Sequence, residues 1–361
     1  MSVVAEASAG QRSGRRGVAV GPVGVRLTRR AVIALSATVL LTVVLLLVSV
    51  FTGTLDLPID RVWAALSGAG TRIEHLVVVE RRLARALAAI LVGFALGAAG
   101  ALTQSITRNP IASPDILGVT AGASLFAVLL LTRPGVVDRV GDGNAGQLLA
   151  PAALAGGLLT TALILALSWR AGFDGLRLIL VGISVNAIAL AAVSWLLTRA
   201  DLVDAQLATR WLTGSLADVG LTDVWALLPV VLIGMLACTV LAQSLGALRL
   251  GREVAPTLGV TTGRAEAVSL LVAVVLVSSA TAVAGPIAFV AFVAPQAAMR
   301  LFGTAGPPPL AGGLLGATLV LGADLVAQRL PVELPVGILT AVIGAPYLLY
   351  LLIQHVRRES V

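Results

Sequence analysis

The chain is organised by apolar runs long enough to cross a bilayer. The first, Ala31 to Phe51, holds 21 residues without a charge. A helix of about 20 residues, at about 1.5 Å per residue, spans the roughly 30 Å hydrocarbon layer. On the same ruler nine more segments follow, at 86–104, 116–132, 148–168, 178–198, 224–243, 267–284, 286–299, 310–326 and 335–353. The expected fold is therefore all-α and polytopic, with about ten transmembrane helices. Composition agrees: 58% of residues are apolar and 12% charged, where a soluble domain carries roughly 25% charge. From Ala267 to Met299 no charge occurs for 33 residues, too long for one crossing and too short for two with a loop. Gly285 and Pro286 divide this run, which predicts a crossing followed by a broken or re-entrant helix. Such breaks are tolerated only where protein or a water-filled cavity satisfies the freed backbone groups.

Several chemistries are excluded by what is missing. All 25 basic residues are arginine, so a Walker A loop, a Schiff-base enzyme and a pyridoxal site lack their ammonium group. Cys238 is the single cysteine and reads as a buried thiol. His75 and His355 have no ligand partner at usable spacing, and neither HExxH nor GxSxG is present. No catalytic residues, metal or cofactor are expected. The net charge of +7 could suit nucleic acid, but the arginines flank apolar spans, as orientation in a membrane requires.

Residues 1–30 carry six arginines against Glu6 and read as a basic, disordered cytoplasmic arm. No A-x-A signature follows the first apolar run, so it is expected to be kept as a span rather than removed as a signal peptide. Residues 31–355 form one transmembrane domain and 356–361 a cytoplasmic tail. With both termini cytoplasmic, the tails and inner loops hold 15 arginines and 6 acids, and the opposite loops 10 arginines and 11 acids. The arginine bias favours that orientation. Arg61, Arg72, Arg81, Arg82 and Arg85 run against it and need a separate reason.

Small residues crowd the spans, as at Gly93, Gly97 and Gly100, at Gly118 and Gly122, and at Gly312, Gly313 and Gly316. Their spacing lets helix backbones approach closely, which argues a compact body. Asp324 is the single acid inside a span and a candidate proton or cation site by default; its place near the span's outer end equally suits helix packing. Thr103 and Gln104, Ser184 and Asn186, and Ser278 and Ser279 could line a path, and interhelical hydrogen bonding explains them equally well.

Three segments stand out. Asn109-Pro-Ile-Ala-Ser-Pro-Asp115 makes a tight turn with an acid at a helix N-terminus. Gly251-Arg-Glu-Val-Ala-Pro-Thr-Leu-Gly259 suits a short surface helix, docked in a partner's groove or lying at the interface. Ala284-Gly-Pro-Ile-Ala-Phe289 leads to Pro295-Gln296 and Arg300, and is followed by Gly322-Ala-Asp324 and Leu334-Pro-Val-Gly-Ile338. Together with Arg82-Leu-Ala-Arg85 and Trp211-Leu-Thr-Gly214-Ser215-Leu, these segments resemble, from about Arg81 to the C-terminus, the permeases of bacterial ABC importers for iron-siderophores, haem and cobalamin. Within that family the resemblance is greatest to ferric enterobactin permease subunits.

The resemblance implies a type II importer permease in the bacterial cytoplasmic membrane that carries a ferric, catecholate-type siderophore inward. It implies a second permease subunit, different or identical, two cytoplasmic ABC ATPase subunits and an extracytoplasmic siderophore-binding protein. On this pattern coupling helices occupy about 249–264, with Arg252, Glu253, Ala255, Leu258 and Gly259 facing the ATPase. Arg82, Arg85 and Arg329 would dock the binding protein's acids; anchoring to lipid headgroups is the plainer reading of the same charges. The chain departs from the family at Ala84, where a proline is usual, and at Gln296, where a histidine is usual. A helix cap or turn is expected at Gln296. A cobalamin or haem cargo, and a proton-coupled carrier working through Asp324, are the alternatives.

Overall fold

The computed structural model describes residues 16–20, 23–53, 55–133, 145–168 and 175–359. It is almost entirely helical. In chain order the helices are α1 (Arg29–Phe51), α2 (Ile59–Leu66), α3 (Arg72–Thr107), α4 (Val119–Leu131), α5 (Ala145–Ser168) and α6 (Gly175–Arg199). There follow α7 (Leu202–Leu212), α8 (Leu221–Leu250), α9 (Thr262–Ala284), α10 (Val290–Phe302), α11 (Pro309–Ala327) and α12 (Val336–Glu359). Leu76–Leu83 of α3 is π-helical, and Pro114–Leu117 and Ala255–Leu258 are single 3-10 turns. Among the described residues seven helices are long and apolar enough to cross a membrane, and three shorter apolar ones complete the expected ten.

Two differences lie at the termini. Residues 16–20 and 23–27, expected within a disordered arm, are strands that pair antiparallel, Arg16–Val20 with Val23–Leu27. The β-branched Val18, Val20, Val23 and Val25 favour extended backbone there. The expected 356–361 tail is helical as far as Glu359. Residues 1–15 of the arm lie outside the described residues.

α3 is the axis of the bundle. It packs along α11 and also meets α8, α9 and α10. The glycine spacing explains these contacts: a Cβ on Gly93 would strike the Gly316 carbonyl and one on Gly97 the Gly312 carbonyl, both in α11, and one on Gly100 the Ala291 carbonyl in α10. Without a hydrophobic drive between helices in lipid, that close approach is a main source of cohesion. Around α3 the span windows are unevenly covered, with 78% of residues buried in α3, 22% in α6 and 17% in α1. The outer helices leave wide apolar faces toward lipid.

A short repeat marks two equivalent breaks. Asn109-Pro-Ile-Ala follows α3 and Gly285-Pro-Ile-Ala follows α9, and each leads into a helix of 13 residues. Thirteen residues rise about 20 Å, short of the roughly 30 Å layer. The non-glycine residues with positive φ, among those described, are Arg108 at the first break and Phe289 at the second. Ala291 lies against Gly100, about 22 Å along α3 from Arg85, so the second break falls within the bilayer.

Candidate functional site

The second break does not stand alone. Ser215 N–H donates to the Ala284 carbonyl (2.8 Å) and Gly337 N–H to the Gly214 carbonyl (3.1 Å). The α7–α8 loop, the α9–α10 break and the start of α12 thus satisfy one another's backbone groups where lipid cannot. Gly214 and Gly285 have φ of 69°, and Gly337 lies so near the Thr213 carbonyl that a Cβ would strike it. Beside this junction lies a cavity of about 550 Å³, lined by Asp115, Thr120, Thr213, Pro286, Ile287 and Ile338 among others. Ser113 Oγ donates to Asp115 (2.8 Å), as does the Thr120 hydroxyl. Four non-consecutive segments, three of them helix ends, therefore meet around one mainly apolar cavity.

The expected path residues lie elsewhere. Thr103 Oγ1 donates to the Ala99 carbonyl (2.9 Å) within its own helix. Gln104 is buried, donates to the Phe292 carbonyl (3.2 Å) and accepts from Gln296 Nε2 (2.7 Å). Gln296 is thus an interhelical tie inside α10, where a cap or turn was expected. The amide suits the place because it can both donate and accept. Ser184 is exposed and donates to the Leu180 carbonyl (2.9 Å), Asn186 is half-buried, and Ser278 and Ser279 are buried. None of the six borders the cavity.

At one end of the bundle the arginines are engaged internally. Arg85 reaches Asp324 through Nε (3.1 and 3.0 Å) and Nη2 (2.9 Å), and Glu333 through Nη1 (2.7 Å). Asp324 is 1% exposed and also accepts from Gln328 (2.7 Å). Arg82 donates to the Val50 carbonyl (3.2 Å) and to that of Leu55, holding the end of α1. Arg329 donates to the Leu325 carbonyl (2.8 Å) and to Thr52 Oγ1 (2.5 Å). Arg72 and Arg81 are exposed at this end. Arg81 borders a second cavity of about 1040 Å³ with Glu80, Arg210, Asp218 and Asp223.

The opposite end carries residues 249–264. Arg252 grips Glu266 through Nε (2.8 Å) and Nη2 (2.5 Å), and this hydrogen-bonded pair holds the guanidinium even further above neutral pH than usual. Ala255 is buried; Glu253, Val254 and Leu258 are exposed. Gly259, with φ of 79°, ends the 3-10 turn. The segment is a braced turn of four residues between two long helices, shorter than the surface helix expected. Arg249 donates to the Pro307 carbonyl (2.6 Å) and Arg30 to that of Leu301 (3.1 Å), tying the α10–α11 connection to the same end. Among the described residues no cluster of three metal-ligating side chains occurs.

Residues 41–354 match the FecCD transport family. The chain belongs to that family. It is 40% identical over 312 residues, covering 85% of this chain and 91% of the relative, to the ferric enterobactin transport system permease protein FepG of Escherichia coli (strain K12). It is 35% identical over 337 residues, covering 91% and 98%, to the iron(3+)-hydroxamate import system permease protein FhuG of Bacillus subtilis (strain 168). Among solved structures, one titled as an inward-facing conformation of a putative metal-chelate type ABC transporter aligns with a TM-score of 0.75 at 28% identity, over 89% of this chain and 98% of that one. The all-α, multi-pass permease fold follows.

Of the residues that line the cavity, Asp115, Thr213, Pro286, Ile287 and Ile338 stand within segments singled out in the sequence, and Thr120 does not. The repeated Pro-Ile-Ala after two long apolar runs was the available signal. It marks both breaks before any coordinate is known.

Proposed function

We propose that this chain is a permease subunit of an ATP-driven importer that carries a ferric siderophore of the catecholate, enterobactin-like type across a bacterial cytoplasmic membrane. Both termini and residues 249–264 are cytoplasmic in this reading. Two ABC ATPase subunits grip the turn at Arg252, Glu253, Ala255, Leu258 and Gly259, a second permease subunit completes the path, and a siderophore-binding protein delivers the cargo at the Arg85 end. Docking falls to the exposed Arg72 and Arg81, on a surface that Arg82, Arg85 and Arg329 build from within.

The observation that carries the transport reading is the cavity where four chain segments meet at broken helices. Irregular backbone at membrane depth is costly and is kept where other protein or a cavity satisfies it, and here it has both. The cargo class rests on the likeness to the ferric enterobactin permease. An iron already wrapped in its chelator needs no ligands from the walls, which suits a mainly apolar cavity. Proton coupling through Asp324 is not favoured, because Arg85 and Gln328 occupy that carboxylate and it is buried.

The test is uptake of radioactive iron, supplied as catecholate or hydroxamate complexes, in cells lacking the gene and in cells where it is restored. Restoration of catecholate-iron uptake alone supports the proposal. Restoration of hydroxamate-iron uptake alone overturns the cargo, and persistence of uptake after disabling the partner ATPase overturns the mechanism.

A further inference from the structure

α2 was not foreseen in the sequence, and it leaves an apolar flank uncovered among the described residues. Its eight residues bury Val62 and Ala65 in a small core with Val50 of α1 and Val78 of α3, joined by Leu46, Phe51, Leu57 and Leu83. On a 3.6-residue turn, Ile59, Trp63 and Leu66 fall beside that buried stripe, while Asp60 and Arg61 fall on the remaining sides. Ile59 is 73% exposed and Trp63 66%.

The depth of the helix follows from its partners. Val50 is one residue from the end of α1, about 31 Å of rise from Arg29. A helix packed on Val50 therefore lies at the level where α1 leaves the hydrocarbon. α1 presents Leu40, Val44 and Leu47 outward, so the flank of α2 continues a face that already meets lipid. The charges also fit a water boundary: Arg61 pairs with Glu74 at 3.7 Å, and Asp56 and Asp60 are exposed. Trp195 and Trp225, both exposed, stand about one turn from the ends of α6 and α8 at the same end of the bundle. Tryptophan is enriched at the headgroup level of a bilayer, and a short amphipathic helix lies in that plane.

We infer that α2 is an interfacial anchor, with Ile59, Trp63 and Leu66 inserted at the headgroup–acyl boundary of the leaflet at the Arg85 end. Its partner is phospholipid rather than protein. The anchor holds the α1–α2 connection and the start of α3 against the membrane surface, so that the exposed Arg72 and Arg81 keep a fixed height above it. The inference does not depend on the cargo.

Spin labels test it in the assembled transporter, reconstituted in phosphatidylcholine–phosphatidylglycerol nanodiscs. With the native thiol removed as Cys238→Ser, labels are placed by Asp60→Cys, Ile59→Cys and Trp63→Cys in separate proteins. Labels at 59 and 63 should collide with oxygen more than with a water-soluble nickel chelate, and the label at 60 should show the reverse. Adding the binding protein should leave all three unchanged. Preference for the nickel chelate at both 59 and 63 would overturn the anchor. Immobilisation at 59 and 63 only on adding the binding protein would overturn it too, and would reassign the flank as a protein-docking face.

Discussion

At the Arg85 end of the bundle, Arg82, Arg85 and Arg329 reach inward to six acceptors, two of them carboxylates, on α1, α11 and their connections. At the Arg252 end, one arginine braces the turn against Glu266 and the side chains of Glu253, Val254 and Leu258 face outward. The first end fastens helices to one another; the second offers a small, rigid, partly apolar surface. Charge density is therefore a poor guide to which surface receives a partner. An arginine with its fork already occupied by carboxylate stabilises the fold, whereas an exposed leucine on a braced turn is available for docking.

The comparison is broken most severely at Arg85. Arg85→Ala leaves Asp324 buried and unpaired, which costs about 3–5 kcal/mol, so little folded protein should survive detergent extraction, as read by size-exclusion chromatography. Replacing both partners by apolar residues of similar size, Arg85→Met with Asp324→Leu, should recover much of that loss. Next comes the axis itself. Gly97→Leu forces α3 and α11 apart and should cost about 1–3 kcal/mol, seen as a lower thermal midpoint in detergent; an unchanged midpoint would disprove the close contact. Gln296→Ala leaves the Gln104 amide partly unsatisfied, a loss of about 1–2 kcal/mol by the same assay. Arg61→Ala removes a long pair whose arginine is exposed, and should change stability by less than about 1 kcal/mol.

Much of the architecture was legible because lipid imposes a strict rule. Apolar length alone marked the ten segments, and the spacing of Gly93 and Gly97 marked the face that meets α11. What escaped was short or non-local. α2 has eight residues, too few for apolar periodicity to separate it from a loop. Arg85 and Asp324 are 239 residues apart, and nothing local to either announces the other; taken alone, Arg85 suits a docking surface and Asp324 a proton site or helix packing. The central cavity belongs to no single motif. It arises because Asp115, Thr213, Pro286 and Ile338 begin or end different elements that the fold gathers at one point. The N-terminal strand pair escaped for another reason: six arginines against one acid in residues 1–30 read as a solvated arm and draw attention from the alternating valines.

The account turns on the claim that the Arg252 end is the surface through which external work enters. The most direct measurement is co-purification of the ATPase subunits with Leu258→Asp, in membranes where the permease accumulates normally. The account predicts that the permease remains intact, the ATPase is lost from the complex and iron uptake stops. Retention of the ATPase with unchanged uptake would contradict it.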